Sequence, residues 1–277
     1  MRLAAIAVLF SLRAVPAIAA SGTNPPVAGV AALADSSGTV KSNADLSVHE
    51  LVDRANKALR GESSHGKLTM TIVNPKWGSR TMEIEGWNRE RAYAFISILA
   101  PAKEKGDVTL RRKTEMWLWT KRTEITTKIP PTMMHMTWQG SDFTYEDIVK
   151  ADSVVKDYNH KLLSKSFHKD RTVYRIEGIP KPDAPVVWGK VILEVGLYGE
   201  EAIPLKEEDW SERGDLIRTI SFSDVKRLGG RLIPARMECQ PTGKPGQRTI
   251  VQYEDLEFDL PLSDSFFSQS RLQRGGR

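Results

Sequence analysis

The chain has 277 residues, 40% hydrophobic and 27% charged, with a formal net charge of +5. A chain of this size can bury a large apolar core. Two of the surplus cations, Arg2 and Arg13, fall in an N-terminal leader, and the +3 left after subtracting them, without dense Lys/Arg clustering, argues against a nucleic-acid binder. Cys239 is the only cysteine, which excludes an intrachain disulfide, so the fold is expected to rest on burial alone.

Residues 1–19 read as a signal peptide. Arg2 supplies the positive start, Leu3 to Leu12 is an apolar run too short to span a bilayer, and Ala17-Ile18-Ala19 is an A-x-A cleavage site. No cysteine lies near that site, so the exported chain is not expected to be lipidated. Residues 20–45 are small and polar, with Pro25-Pro26 and Ser36-Ser37-Gly38, and read as a flexible leader. The folded domain is expected over 46–268, with 269–277 a disordered tail.

The first regular element is a helix over 46–59. Ser47-Val48-His49-Glu50 has the capping-box pattern, Leu51, Ala55, Ala58 and Leu59 form one stripe, and Gly61 supplies the stop. Strands are then predicted at 67–73, 79–88, 92–98, 107–112, 116–120 and 124–128. A second set falls at 159–167, 172–178, 188–195, 204–212, 215–224, 231–240 and 248–257. Turn residues such as Asn74-Pro75, Arg213-Gly214-Asp215 and Gly229-Gly230 separate them. Many short antiparallel strands imply a mainly β domain, built as one curved sheet or barrel. Trp117 and Trp119 share one face of their strand and Met116 and Leu118 the other, so that strand is expected to be covered on both sides.

No nucleophile elbow, H-E-x-x-H site or phosphate loop is present, and the five histidines are scattered. The sequence therefore offers no catalytic residue, metal site or cofactor site. Its densest carboxylate group is Asp142, Glu146 and Asp147. That group reads either as a cation or acid/base site or as structure. In the preferred structural reading, Ser141 caps a short helix over 142–150, Asp142 sits in its first turn, and Glu146 and Asp147 face water or the backbone. Phe143 and Tyr145 would pin this turn to the sheet. The loop carrying Met133, Met134, Met136 and Trp138 reads either as a methionine-rich lid on an apolar ligand or as a loop burying its own core. Arg111-Arg112-Lys113 reads as a charge-guarded strand end or as a patch for anionic head groups.

The stretch from Glu115 to Asp147 carries a resemblance. A strand Glu115-Met116-Trp117-Leu118-Trp119, then Lys121 and Arg122, then Gly140-Ser141-Asp142-Phe143-Thr144-Tyr145-Glu146-Asp147, resembles the outer membrane lipoprotein-sorting proteins, relatives of the LolA and LolB carriers. Pro101 to Leu110, 185–189 and 228–234 look like further turns of that family, whereas Thr120 to Thr123 lacks the proline its members often carry. The resemblance implies a single unclosed antiparallel β-barrel with a few helices over its concave face. It further implies a periplasmic carrier that shelters the acyl chains of a lipid or lipoprotein and passes them toward the outer membrane. An inner-membrane export complex would be its partner, with only transient membrane contact. The alternative is a periplasmic sensing or regulatory module acting on a membrane partner, as RseB/MucB-type domains do; the chain ending soon after the barrel favours the carrier. The residues expected against the ligand are Met70, Ile72, Trp117, Trp119, Met134, Met136 and Ile192, with plain core packing the alternative reading of each.

Overall fold

The structure is a computed structural model that describes residues 46–275 apart from 91, 150, 151, 169 and 170. The expected signal peptide and leader lie outside the described residues. Among those described, no helix is long and apolar enough to cross a membrane.

The chain opens with helix α1 (Val48–Ala58), whose capping box is formed as expected: the Ser47 hydroxyl accepts from the Glu50 amide while the Glu50 carboxylate accepts from the Ser47 amide. Six strands follow: β1 (Ser63–Asn74), β2 (Gly78–Arg89), β3 (Tyr93–Ala100), β4 (Val108–Arg112), β5 (Glu115–Thr120) and β6 (Ile125–Ile129). A loop with two 3-10 turns leads to the short helices α2 (Tyr145–Val149) and α3 (Ser153–Lys156). Seven more strands complete the sheet: β7 (Tyr158–His168), β8 (Arg171–Pro180), β9 (Lys190–Tyr198), β10 (Glu201–Trp210), β11 (Leu216–Leu228), β12 (Arg231–Pro241) and β13 (Arg248–Phe258). Helix α4 (Gln269–Gln273) ends the chain.

All these strands lie in one antiparallel sheet of order β6-β5-β4-β3-β2-β1-β13-β12-β11-β10-β9-β8-β7. Each neighbour is a sequential hairpin except the central β1–β13 pair, where the two meanders meet. β6 and β7 stay unpaired with each other, so the barrel is not closed. The segment between them, carrying α2 and α3, packs instead against the inner face.

The core divides by sheet face and position. On the inner face, Leu51, Val52 and Ala55 of α1 pack on Val191, Leu193 and Val195 of β9. Met70, Ile84, Ile98, Ile220 and Val251 meet Trp138 and Phe143 of the loop. The opposite face of β3–β5 carries Tyr93, Phe95, Val108, Leu110, Trp117 and Trp119, which pack on Phe267 and Leu272. β5 is therefore covered on both sides, because Met116 packs under Ile129, Met133 and Met134.

The C-terminus corrects an expectation. Residues 269–273, read as part of a disordered tail, form α4: Ser268 caps it by accepting from the Arg271 amide, and Leu272 is fully buried among the aromatics. One buried leucine among polar neighbours is too short a pattern to register as a periodic element, yet the face it covers could not be left wet. Leu272→Ala is expected to cost about 2–5 kcal/mol, measured by urea denaturation; a loss near zero would mean that α4 is not docked.

Candidate ligand-binding cavity

The inner face is not filled. Between the sheet and its cover lies a cavity of about 300 Å³. Its floor is laid by Leu68 and Met70 of β1, Ile84 and Gly86 of β2, Ile220 and Phe222 of β11, Met237 of β12, and Val251 and Tyr253 of β13. The roof comes from Asn56, Leu59 and Arg60 at the end of α1, Trp138 and Phe143, α2 with Ile148, α3 with Val154, and the loop Val186–Trp188. Two glycines face each other in the floor, Gly66 opposite Gly86. A Cβ on Gly66 would stand 2.5 Å from the Asp255 carbonyl, so close strand approach requires glycine there. A Cβ on Gly86 would meet nothing within 4 Å, so this position leaves space in the cavity rather than packing.

The block Gly140–Asp147 is the clasp of the roof. Gln139 and Gly140 both take positive φ, which reverses the chain tightly. The Ser141 hydroxyl donates to the Trp138 carbonyl at 2.7 Å and accepts from the Phe143 amide. The Trp138 indole N–H reaches the Thr109 hydroxyl at 3.1 Å. Asp142 accepts from Gln247 and Thr249 at 2.6 and 2.7 Å, which fastens the loop to β13. Thr144 and Asp147 then cap α2 reciprocally, each amide donating to the other's side chain. The block differs from its expected structural arrangement in three places. Ser141 is not the helix cap, Asp142 precedes the helix rather than lying in its first turn, and Asp147 does not face water. Tyr145 packs partly buried, between the loop and edge-strand clusters, and Glu146 lines the cavity.

Asp147 meets Arg218, which is 5% exposed at its side chain. The guanidinium donates to both Asp147 oxygens at 2.6 and 2.7 Å, to Asp209 at 2.6 Å and to the Asp142 carbonyl at 3.2 Å, and stacks over Trp188. Asp209 is fully buried on β10, and Glu207 on the same strand face lines the cavity. Burial raises the Glu207 carboxyl well above the ordinary carboxylate range, and the nearby Asp209 charge adds to this. Burial also raises Asp209, but the Arg218 charge and hydrogen bond pull it back. Of the two, Glu207 is the carboxyl that burial pushes furthest toward its neutral form. Because Glu207 titrates higher in the fold than in the unfolded chain, its contribution is fully present below its ordinary range and is lost as pH rises through the folded value. Glu207→Gln should remove that loss. Its stability advantage over the natural chain is expected to be small at pH 4 and to grow to about 1–3 kcal/mol in alkali, read as Tm against pH. Parallel curves would contradict a proton held by Glu207.

The residues expected against a ligand scatter. Met70 lines the cavity, and Ile72 lies on the same strand face, packed in the adjoining cluster. Trp117 and Trp119 do not line it: they lie on the opposite face, under Phe267, Leu272 and the turn at Gly275. Ile192 alternates away from the cavity-lining Val191 and stands beside Glu177 and Glu208. Met134 packs on the edge-strand cluster and Met136 is 45% exposed; neither lines the cavity, whose roof takes Trp138, Phe143 and Ile148 instead. Arg111 is buried, donating to the Ile148 carbonyl at 3.1 Å, so it is not part of an outer basic patch. His49 and His160 meet at 3.3 Å from opposite ends of a 111-residue separation, which no local pattern signals. Among the described residues, no group of three or more His, Cys, Asp or Glu side chains could hold a metal ion.

An unclosed antiparallel sheet curled under a helical cover defines the LolA-like fold. The sequence profile of a family described as uncharacterized protein matches residues 90–274, more than half of the chain and through α4, and the chain belongs to that family. No curated protein matches the sequence. Among solved structures, a DUF1329 family protein from Desulfovibrio piger is 18% identical with a TM-score of 0.71, covering 81% of this chain and 97% of that one. A LolA superfamily protein from Nitrosomonas europaea is 19% identical with a TM-score of 0.68, covering 82% and 100%. An outer membrane lipoprotein-sorting protein domain from Vibrio parahaemolyticus is 21% identical with a TM-score of 0.65, covering 82% and 98%. These likenesses agree with the resemblance carried by Gly140–Asp147.

Proposed function

We propose that the chain is a periplasmic carrier that holds an acyl chain of a lipid or lipoprotein in the roofed cavity and passes it toward the outer membrane. The observation that carries this reading is an apolar space under a cover made of separate short pieces. A chain withdrawn from a membrane exposes methylenes at about 0.8 kcal/mol each, and walls such as Leu68, Met70, Ile220, Phe222 and Val251 replace that water. At about 300 Å³ the cavity is at the small end of ligand sites, which suits a single chain; a larger cargo would have to part the roof. The cover joins the sheet through defined polar contacts, Asp142 with Thr249 and Asp147 with Arg218, so parting it is a discrete step. The A-x-A leader supports export, and an inner-membrane export complex is the proposed donor, with transient membrane contact. The protein is read as a carrier and not a catalyst.

One observation favours the second reading, a module that docks a membrane partner. The edge strand β7 exposes Leu163 and Phe167 beside Lys161 and Lys165, and its unpaired edge could accept a partner strand. Native mass spectrometry of the protein purified from periplasm without detergent, followed by solvent extraction, separates the two. A bound acyl species of defined mass supports the carrier. A bare chain that also fails to take up added lipids and lipopeptides overturns it and leaves the docking module.

A further inference from the structure

One rim of the sheet carries a charge surplus that the cavity does not use. Four turns follow one another along it: β5–β6 at 121–124, β3–β4 at 101–107, β1–β2 at 75–77 and β12–β13 at 242–247. Each touches the next. The Lys121 amide donates to Asp107 at 2.9 Å, Arg80 near the start of β2 donates to Glu104 at 3.3 Å, and a Cβ on Gly246 would stand 3.0 Å from Pro75. Six cations stand exposed on these turns, Lys76, Lys103, Lys105, Lys121, Arg122 and Lys244, against one exposed carboxylate, Glu124. Even with the half-buried Glu104 and Asp107 counted, the cations outnumber the anions two to one. The opposite rim has no such surplus: among its described turn residues Lys113 stands against Glu90 and Glu200. Two of the three most exposed large apolar side chains among the described residues lie on the same basic rim. Trp77 is 76% exposed at the tip of β1–β2, and Ile125, 59% exposed, follows Glu124. The turn that presents Trp77 is fixed: Asn74 Oδ1 accepts from the Lys76 and Trp77 amides at 2.9 and 3.2 Å, and the Lys76 ammonium lies 4.7 Å from the Trp77 ring centre.

We propose that this rim docks on a bilayer bearing anionic head groups, with Trp77 entering the head-group layer and the lysines resting on it. This rests on the reading of the chain as a carrier in transient contact with a membrane, and it names the surface that makes the contact. Basic side chains near a membrane gain from the negative surface potential of anionic lipids. Tryptophan favours the head-group level, where its ring meets apolar groups and its N–H stays wet. A protein partner would ask for an apolar centre that can be fully desolvated. Here the apolar groups are two side chains on separate turns amid charge, which suits a soft anionic surface. The rim also adjoins the clasp of the roof. Arg80 donates to the Gln139 carbonyl, and Gln247 of the β12–β13 turn donates to Asp142 at 2.6 Å. Docking therefore brings the clasped end of the roof to the membrane, where a chain is taken up or released.

The test is flotation of the protein with vesicles of phosphatidylglycerol and phosphatidylethanolamine, and with vesicles of phosphatidylcholine alone, at low and high salt. Binding to the anionic vesicles is expected to exceed binding to the neutral ones by about tenfold or more and to weaken steeply in high salt. Lys76→Gln combined with Lys244→Gln should weaken it by about tenfold or more, since each cation near such a surface is worth about fivefold. Trp77→Ser should weaken it about tenfold, and a side chain this exposed is not expected to disturb the fold when replaced. Phe167→Ser, on the β7 edge, should bind as the natural protein does. Equal binding to both kinds of vesicle, or loss with Phe167→Ser and not with Trp77→Ser, would overturn the assignment. No vesicle binding would overturn it too, and binding to heparin in its place would assign the rim to an acidic macromolecule. A protein that holds an acyl chain but ignores vesicles loses the docking rim and keeps the carrier reading. One that docks on anionic vesicles and takes up no chain keeps the rim and loses the carrier. The lipid and salt dependence of the natural protein decides the matter even if a variant does not fold.

Discussion

Arg218→Met is expected to lower stability by about 3–5 kcal/mol, because it strands Asp209 and Asp147 as uncompensated charges in the interior. Asp209 is fully buried and pairs with Arg218 at 2.6 Å, and the same guanidinium ties the roof to the floor through Asp147. The expected fall in Tm is roughly 6–20 °C for a domain of this size. Loss of the clasp should also raise amide exchange through 138–148, whose hold on the sheet includes this contact. The cause is separable from lost packing. Adding Asp147→Asn and Asp209→Asn to Arg218→Met removes the stranded charges, so it should recover much of the loss, since a buried ion pair exchanged for neutral groups is often close to neutral overall. A single-variant loss below about 1 kcal/mol would mean that the guanidinium does not clamp the roof.

Gly86→Phe is expected to abolish chain binding and leave the fold intact. A side chain there meets no wall within 4 Å and grows into the cavity, so it takes the ligand's place, and aromatic residues suit a strand. Affinity for a neutral fluorescent acyl probe should fall at least tenfold, which is about 1.4 kcal/mol. Trp119→Ala should do the reverse. Its ring is sealed between β5 and the C-terminal turn on the other face of the sheet, so the change is expected to cost about 3–5 kcal/mol of stability while the folded fraction binds the probe normally. If Trp119→Ala weakened binding and Gly86→Phe did not, the cavity would be assigned to the wrong side of the sheet.

These two residues also show where the sequence stops informing. The strands, the capped α1 and the double-sided cover of β5 were legible, because alternation, turn residues and a capping box are local patterns. Which apolar face encloses space was not legible. Trp117 and Met116 are equally apolar and both are packed solid, Trp117 with Phe267 and Leu272 and Met116 with Ile129, Met133 and Met134, whereas the enclosed space lies over Met70, Ile220 and Val251. The site's polar end was hidden for a different reason. Lys206 to Asp209 has the composition of a solvated strand, and Arg218 finds Asp147 across 71 positions. One signal was available. Arg218 shares a strand face with Ile220 and Phe222, and a lone arginine in an apolar stripe requires a buried carboxylate partner. The clasp contacts of Asp142 with Gln247 and Thr249 bridge more than 100 positions, and nothing near the motif announces them.

The most direct measurement is photolabelling of the protein with a neutral alkyl diazirine probe, mapped by peptide mass spectrometry with and without excess unlabelled chain. Competable adducts are expected on β1, β11 and β13 around Met70, Phe222 and Val251, and on the roof at Trp138 and Phe143. Adducts confined to Met134–Met136, to β7 or to the Trp117–Trp119 face, or labelling that excess chain does not displace, would contradict a chain-binding cavity between the sheet and its clasped roof.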